Sequence, residues 1–166
     1  PKYLNSPETS LFHKGRVLYG QKMASGAARK AGVIIVTEGY TDVIALHQAG
    51  FENAVAPLGT ALTEDQMKLL WKIVPEPVLC FDGDAAGQKA AARAAQRALP
   101  LLASGYGLRF ALLPNGEDPD SLIRAGGAPA ITAVVRDALA LSEVLWRMET
   151  GGRLPKTPEH RAALQK

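Results

Sequence analysis

A chain of 166 residues is long enough to bury one domain with a small appendage, and its apolar and charged contents are those of an ordinary globular protein. The net charge of +3 is too small to indicate a partner, and the single cysteine, Cys80, excludes an intrachain disulfide framework and a thiolate zinc cluster. The sequence contains no secretory signal and no apolar run of about 20 residues, so we expect a cytoplasmic protein with no membrane partner.

The first thirty residues form a basic leader. They carry a single acidic residue, Glu8, against six bases: Lys2, Lys14, Arg16, Lys22, Arg29 and Lys30. Such a leader suits a phosphate-rich ligand, and the alternative is a solvated, partly disordered arm. We interpret the leader as irregular, with residues 25–28 as a flexible link. Because the chain begins at Pro1 without a methionine, we expect it to be a piece of a longer protein.

Beyond the leader, strand and helix patterns alternate four times. Short apolar runs predict strands at 33–37, 53–58, 78–81 and 108–113, and Cys80 within the third run is expected in the core. The spacing of apolar residues predicts helices over 41–49, 64–74, 85–102 and 119–125, then one or two helices over 129–148. Thr63 and Gln66 match a capping box at the start of the second helix. This alternation predicts a parallel sheet of about four strands with helices on both faces.

Acidic residues follow three of the predicted strands directly. They are Glu38 and Asp42, Asp82 and Asp84, and Asp118 and Asp120. The carboxyl ends of parallel strands meet at one edge of a sheet, where ligands of such folds gather. Two carboxylates about 4 Å apart repel by roughly 4 kcal/mol at an effective dielectric of 20, and a divalent cation relieves that repulsion. The pattern therefore predicts a Mg²⁺ or Mn²⁺ site.

Each acidic cluster also has an ordinary structural explanation. Asp42 would stabilise the dipole of its helix, Asp84 would cap the helix that it precedes, and Asp118 with Pro119 is typical of a helix start. The glycine at 39 would allow a sharp turn that exposes Glu38 at the tip of its strand. The metal interpretation depends on the conjunction of three clusters at strand ends that converge.

At Gly59-Thr60, backbone N–H groups near a helix start could meet a phosphate, although on its own the pair is better explained as a plain turn. No glycine loop ending in Lys-Ser or Lys-Thr is present, so the sequence is not that of a P-loop ATPase.

The three acidic motifs, Glu38-Gly39-Tyr40-Thr41-Asp42, Asp82-Gly83-Asp84 and Glu117-Asp118-Pro119-Asp120, resemble the Toprim domain of bacterial primases, topoisomerases and some nucleases. The stretch 2–15, with its Asn-Ser-Pro-Glu, resembles the bacterial DnaG-type primases in particular, as does 55–63, where that family often has serine in place of Pro57. The resemblance implies a DNA-dependent RNA polymerase that makes short primers on single-stranded DNA by two-metal nucleotidyl transfer.

The resemblance also implies roles for individual residues. Glu38 would be the catalytic acid or base. The metal ligands would be Asp82, Asp84 and Asp118, supported by Asp42 and Asp120, and they would hold two or more Mg²⁺ or Mn²⁺ ions without zinc. Contacts with template or nucleotide would come from Lys2, Asn5, Lys14, Gly39, Gly59 and Thr60.

The family pattern further suggests three units and several partners. Residues 1–30 would be a remnant of the preceding core subdomain, 31–126 the Toprim domain, and 127–166 the start of a helical subdomain with a linker. The partners would be single-stranded DNA, nucleoside triphosphates and the RNA primer, and the replicative helicase would bind through a domain outside this sequence. Because the family's zinc-binding domain and most of its first core subdomain are not represented, the piece alone would polymerise poorly.

Two other hypotheses remain. A Toprim topoisomerase or nuclease would carry the same acids, but a topoisomerase also needs a nucleophilic tyrosine, and Tyr3, Tyr19 and Tyr106 have no evident context. A non-catalytic nucleotide-binding or nucleic-acid-binding module with a degenerate Toprim fold is the third possibility, which the retention of all six acids argues against.

Overall fold

The computed structural model describes Thr9, residues 12–59 and 61–151, and Thr157. Within these residues the chain forms a five-stranded sheet in the order β2-β1-β3-β4-β5. The first four strands are parallel, and β5 pairs antiparallel with β4 at one edge. The strands are β1 (Ile35–Val36), β2 (Ala54–Val55), β3 (Val78–Phe81), β4 (Arg109–Leu112) and β5 (Leu139–Ala140).

Helices cover both faces of this sheet. They are α1 (Gln21–Ala31), α2 (Tyr40–Gln48), α3 (Glu64–Trp71), α4 (Ala85–Ala98), α5 (Pro119–Arg136) and α6 (Leu141–Thr150), with short 3-10 helices at Lys14–Arg16 and Leu99–Leu101. The described part of the chain contains no helix long and apolar enough to cross a membrane.

Alternation along the strands divides the interior into two cores. Leu79 and Phe110 belong to the core that includes α1, α3, α4 and α6, while Cys80 and Ala111 belong to the core that includes α2 and α5. All four residues are at most 1% exposed, and full burial of a large apolar side chain stabilises the fold by about 1.5–3 kcal/mol. The α/β architecture and the buried position of Cys80 are confirmed.

The predicted irregular leader is wrong for the segment that includes 25–28. Residues Gln21–Ala31 form α1, because Ala24 and Ala28 lie one turn apart and are both fully buried against the sheet. This packing outweighs the low helix propensity of Ser25 and Gly26. The hydroxyl of Ser25 donates to the carbonyl of Gln21 at 2.6 Å, so it bonds within the helix.

The prediction of helices only over 129–148 is also wrong, because Leu139–Ala140 forms the edge strand β5. The guanidinium of Arg109 on β4 donates to the carbonyls of Arg136 and Ala138 at 2.8 and 3.0 Å, which holds this segment against the sheet. The predicted helix stop at 126–127 corresponds to a break inside α5, where Gly127 has φ 64° and ψ −167°. The division into units 1–30, 31–126 and 127–166 stays a prediction.

The capping box of α3 is confirmed, and it also anchors the leader. Gln66 is completely buried, and its side-chain oxygen accepts from the backbone N–H of Thr63 at 3.0 Å. Its amide donates to the carbonyls of Lys14 and Val17 at 2.9 and 2.8 Å. One side chain therefore joins the start of α3 to the middle of the leader.

We expect Gln66→Ala to lower the free energy of unfolding by about 2–4 kcal/mol, because two buried carbonyls and one N–H lose their partner. Urea denaturation followed by circular dichroism measures this loss. The control is Gln96→Ala on α4, where the side chain is exposed and the expected change is below about 0.5 kcal/mol. Equal stability of the two variants would contradict the anchoring role.

Candidate active site

Three acidic segments meet at the carboxyl edge of the sheet, because β3 lies between β1 and β4. Glu38 follows β1 closely and Asp82 follows β3 directly, and the backbone N–H of Asp82 donates to Oε1 of Glu38 at 3.1 Å. On the other side of β3, the N–H of Gly83 donates to the carbonyl of Glu117 at 2.9 Å. Hydrogen bonds thus tie the turn after β3 to the segments after both neighbouring strands.

Two glycines allow this close approach. A Cβ atom at Gly83 would overlap the backbone of Pro114, and one at Gly87 would overlap the backbone of Asp82. Backbone atoms cannot rotate away as a flexible side chain could. The turn Asp82–Gly83–Asp84 is therefore held against the segment after β4 on one side and against α4 on the other.

Three of the predicted metal ligands cap helices with one carboxylate oxygen each. Asp42 accepts from the N–H of Gly39 at 3.2 Å, at the start of α2. Asp84 accepts from the N–H of Gly87 at 2.7 Å, and Asp118 accepts from the N–H of Ser121 at 2.7 Å. These acids therefore have the structural role of helix caps. The caps orient the carboxylates at the helix starts, where the partial positive charge of the helix favours an anion.

The carboxylates also act on one another electrostatically. Burial, followed by Glu38, Asp42, Asp118 and Asp84, raises the pKa of Asp82 to about 7. Burial, followed by Asp118, raises the pKa of Asp42 to about 6, and Glu38 adds to this effect. Five of the six predicted acids are thus close enough to disfavour ionisation of their neighbours, and the common cluster expected from the sequence is present.

One oxygen of this cluster is unsatisfied. Oδ1 of Asp82 is buried, and no hydrogen-bond partner for it lies within the part of the chain that the structure describes. This carboxylate oxygen is buried, accepts no hydrogen bond from a described residue and lies next to carboxylates that repel it. Such an oxygen is suited to bind a hard divalent cation.

The residues fit a divalent cation by chemistry, but they do not form a finished ion site. Across residues 12–59 and 61–151, no group of three or more His, Cys, Asp or Glu side chains is arranged so that it could hold a metal ion. The caps made by Asp42, Asp84 and Asp118 are consistent with this, because each uses an oxygen that a cation would otherwise share. A shared cation remains a prediction.

Asp120, the sixth predicted acid, lies apart from this arrangement. It occupies the first turn of α5 and pairs with Arg124 one turn later. An exposed pair at this spacing contributes little to stability. The structure gives Asp120 a local partner on the helix surface.

The predicted nucleotide contacts have different positions. Gly39 precedes α2 beside Glu38, and Gly59 has a φ of 70° that favours glycine. Lys14 is only 9% exposed and lies in the 3-10 helix that is tied to α3. Three further predicted contacts, Lys2, Asn5 and Thr60, lie outside the described residues.

Two arginines next to Glu38 were missed by the sequence interpretation. Arg93 and Arg97 of α4 line a cavity of about 300 Å³ together with Glu38, Gly59 and Phe81. Their spacing of four residues, which also includes Lys89, is typical of a solvated helix face. The spacing of the alanines at 91, 94 and 95 was the available signal, since it marks one face of the helix; the structure buries that face, and both arginines flank it.

Family models match two parts of the chain. The model for the Toprim domain matches residues 32–110, and the model for the N-terminal domain of the DNA primase catalytic core matches residues 1–25. The DNA primase of Rickettsia felis is 47% identical over 166 residues, which is all of this chain and 28% of that protein. The chain therefore spans just over a quarter of the length of this relative.

Solved structures agree with these matches. The crystal structure of a DNA primase domain from Pseudomonas aeruginosa has a TM-score of 0.91 at 50% identity, covering 99% of this chain and 51% of that one. A DnaG primase catalytic domain bound to single-stranded DNA has a TM-score of 0.88 at 46% identity, covering 99% and 52%. These relatives are all primases, which favours the primase interpretation over a Toprim topoisomerase or nuclease.

The fold, the convergent acidic motifs and these relatives agree, and the chain belongs to the bacterial DnaG-type DNA primases, whose catalytic core contains the Toprim domain found here.

Proposed function

We propose that this chain is the Toprim-containing part of the catalytic core of a primase, a nucleotidyltransferase that synthesises short RNA primers on single-stranded DNA. The observation that supports this proposal most strongly is that Glu38, Asp82 and Asp118 lie close together beyond the ends of three adjacent strands. Relatives named DNA primase and a related domain solved with single-stranded DNA support it. The substrates would be nucleoside triphosphates and a DNA template.

Glu38 is the residue placed best for proton transfer. One of its oxygens, Oε1, accepts from the N–H of Asp82, which fixes the carboxylate at the tip of β1. The carboxylate also lines the cavity next to α4, so a ligand can reach it. In this proposal Glu38 takes the proton from the attacking 3′-hydroxyl of the primer, a task that needs a positioned carboxylate within hydrogen-bond reach.

The aspartates would hold divalent cations. Asp82 has the unsatisfied oxygen, and Asp84 and Asp118 each retain a second oxygen beyond the one that caps a helix. Asp42 adds negative charge behind them, and Asp120 would support the site only after leaving Arg124. Bound Mg²⁺ or Mn²⁺ supplies charge neutralisation for phosphoryl transfer.

Basic groups on the opposite wall would bind phosphates. Arg93 and Arg97 face the cavity that contains Glu38, and the guanidinium of Arg97 donates to the carbonyl of Leu62, which fixes its position. Lys14 would add a further contact to template or nucleotide, as would Lys2 and Asn5, which lie outside the described residues. The RNA primer would leave along the surface of Arg93 and Arg97, and the replicative helicase would bind through a domain outside this sequence.

Asp82→Asn tests the electrostatic part of the proposal. The pKa of Asp82 is raised to about 7 from an ordinary 3.8, so the folded state holds a proton that the unfolded state has lost. This contribution is complete below about pH 4 and disappears as the pH rises through 7. The variant should lose part of that pH dependence and gain about 1 kcal/mol at pH 8, a figure discounted because the side chain is partly exposed.

The measurement is thermal unfolding between pH 5 and 8, with and without Mn²⁺. Mn²⁺ should raise the melting temperature of the original chain at pH 8 and have little effect on Asp82→Asn. Asp65→Asn is the control, because its exposed side chain pairs with Arg16 and is not among the predicted metal ligands, and it should retain both responses. If Asp82→Asn follows the pH profile and Mn²⁺ response of the original chain, the carboxylate of Asp82 does not bind the cation.

Glu38→Gln tests the chemical part. In a full-length primase that carries this chain, the variant should slow primer synthesis by at least about 100-fold, because the amide cannot accept the proton. It should leave the folding temperature unchanged within a few degrees, since the amide oxygen can still accept from Asp82.

The assay follows incorporation of labelled ribonucleotides on a single-stranded template. Glu143→Gln on α6 is the matched control, because that glutamate is surface-exposed and pairs with Arg147. Synthesis by Glu38→Gln at the rate of the control would exclude Glu38 from proton transfer.

A further inference from the structure

Two exposed tyrosine rings lie together beside the carboxylate cluster. The rings of Tyr19 and Tyr40 have centroids 5.7 Å apart and planes tilted by 52°. Tyr19 is 36% exposed and Tyr40 is 41% exposed. Tyr40 is the first residue of α2 and comes two residues after Glu38, so the pair stands at the same edge of the sheet. The function proposed above uses neither ring.

The backbones that carry both rings are fixed. The N–H of Tyr19 donates to the carbonyl of Ala56 at 2.7 Å, and the N–H of Ala56 donates back to Tyr19 at 3.3 Å, just beyond β2. Tyr40 is held by the first turn of α2. Rings on a fixed backbone lose little conformational freedom when a ligand covers them, which favours binding.

Opposite charges lie on the two sides of this pair. Tyr19 is followed by α1, which contains Lys22, Arg29 and Lys30, all three exposed, and no acidic residue. Glu38 and its neighbouring carboxylates lie beyond Tyr40 and repel phosphates. A strand that approaches Glu38 with its phosphates along α1 must therefore pass the two rings. Aromatic rings beside a basic surface are the usual means of binding single strands without sequence preference.

We propose that Tyr19 and Tyr40 form a stacking platform for an unpaired base of single-stranded nucleic acid whose phosphates lie against the basic face of α1. This inference rests on the proposed function, and it names the surface by which the strand reaches the site. The structural alternative is that the rings only pack α1 against α2. The two explanations differ in whether the bases of the strand contribute to binding.

The chain contains a matched aromatic pair at a different place. The rings of Trp71 and Tyr106 have centroids 5.9 Å apart, and Tyr106 is 46% exposed. Tyr106 lies just before β4, where Gly107 donates to the carbonyl of Pro75, so this pair stands at the amino ends of the strands. Tyr106 therefore shares exposure and ring pairing with Tyr40 but not its position.

The experiment measures binding by fluorescence anisotropy of two labelled strands of about 12 nucleotides, a length within the range that single-strand binding surfaces cover. One strand is oligodeoxythymidine, and the other is abasic with the same phosphates. On the thymidine strand, Tyr40→Leu and Tyr19→Leu should each bind about 5- to 100-fold more weakly, as the loss of one stacked base implies. On the abasic strand both variants should equal the original chain. Tyr40→Phe, which keeps the ring, and Tyr106→Leu should not differ from it on either strand.

Several results would overturn the proposal. Equal affinity of the original chain for both strands would exclude base stacking on the tyrosine pair. Phosphate binding would still be supported, and so would the proposed function. Equal losses on both strands would assign the tyrosines to packing. If Tyr40→Leu weakened the binding of a free nucleoside triphosphate but not of the thymidine strand, the ring of Tyr40 would stack on the base of the incoming nucleotide instead. Failure of the original chain to bind either strand would count against both proposals.

Discussion

The site depends on acidic residues that are held together although they repel. Because β3 lies between β1 and β4, the turn that contains Asp82 must contact the segments after both neighbours. Gly83 allows contact with the backbone of Pro114, and its N–H binds the carbonyl of Glu117. The acids cannot separate without breaking these backbone contacts. Burial of the Asp82 carboxyl, followed by repulsion from the neighbouring carboxylates, therefore raises the pKa of Asp82 to about 7.

Helix capping and cation binding use the same acids without excluding each other. A carboxylate has two oxygens, and the caps made by Asp42, Asp84 and Asp118 each occupy one. The helix starts offset part of the repulsion, by about 0.3–1 kcal/mol each. Oδ1 of Asp82 is buried and has no hydrogen-bond partner among the described residues, so a positive charge next to it would be stabilising. Local structure therefore prepares the cluster for a cation without completing its coordination.

The sequence predicted the elements whose cause is local, and it failed where a distant contact decides. The apolar run Val78–Phe81 became β3 with the predicted bounds, and the capping box at Gln66 lies where expected. The helix α1 was missed because its buried alanines pack against elements later in the chain, β2 among them. The edge strand β5 was missed because it is fixed by Arg109 on β4. Tertiary contacts determine both elements, and neither the hydrophobic periodicity nor the residue propensities of the local sequence reveal those contacts.

The candidate site divides in the same way. Convergence of five acids followed from strand order alone, because parallel strands end at one edge. Asp120 lies in the first turn of α5 and pairs with Arg124, for which the spacing of four residues was a visible signal. The position of Arg93 beside Glu38 depends on how α4 packs on the sheet, which the sequence indicated only through its buried alanines.

The central claim is that one cation-binding site joins the three strand ends. Anomalous scattering from a crystal of this chain soaked in Mn²⁺ tests it most directly. The account predicts a manganese peak within coordination distance, about 2.0–2.4 Å, of Oδ1 of Asp82 and of an oxygen of Glu38, Asp84 or Asp118. Manganese bound only on the surface, for example at Asp120, or absent from the cluster at saturating concentration, would contradict it.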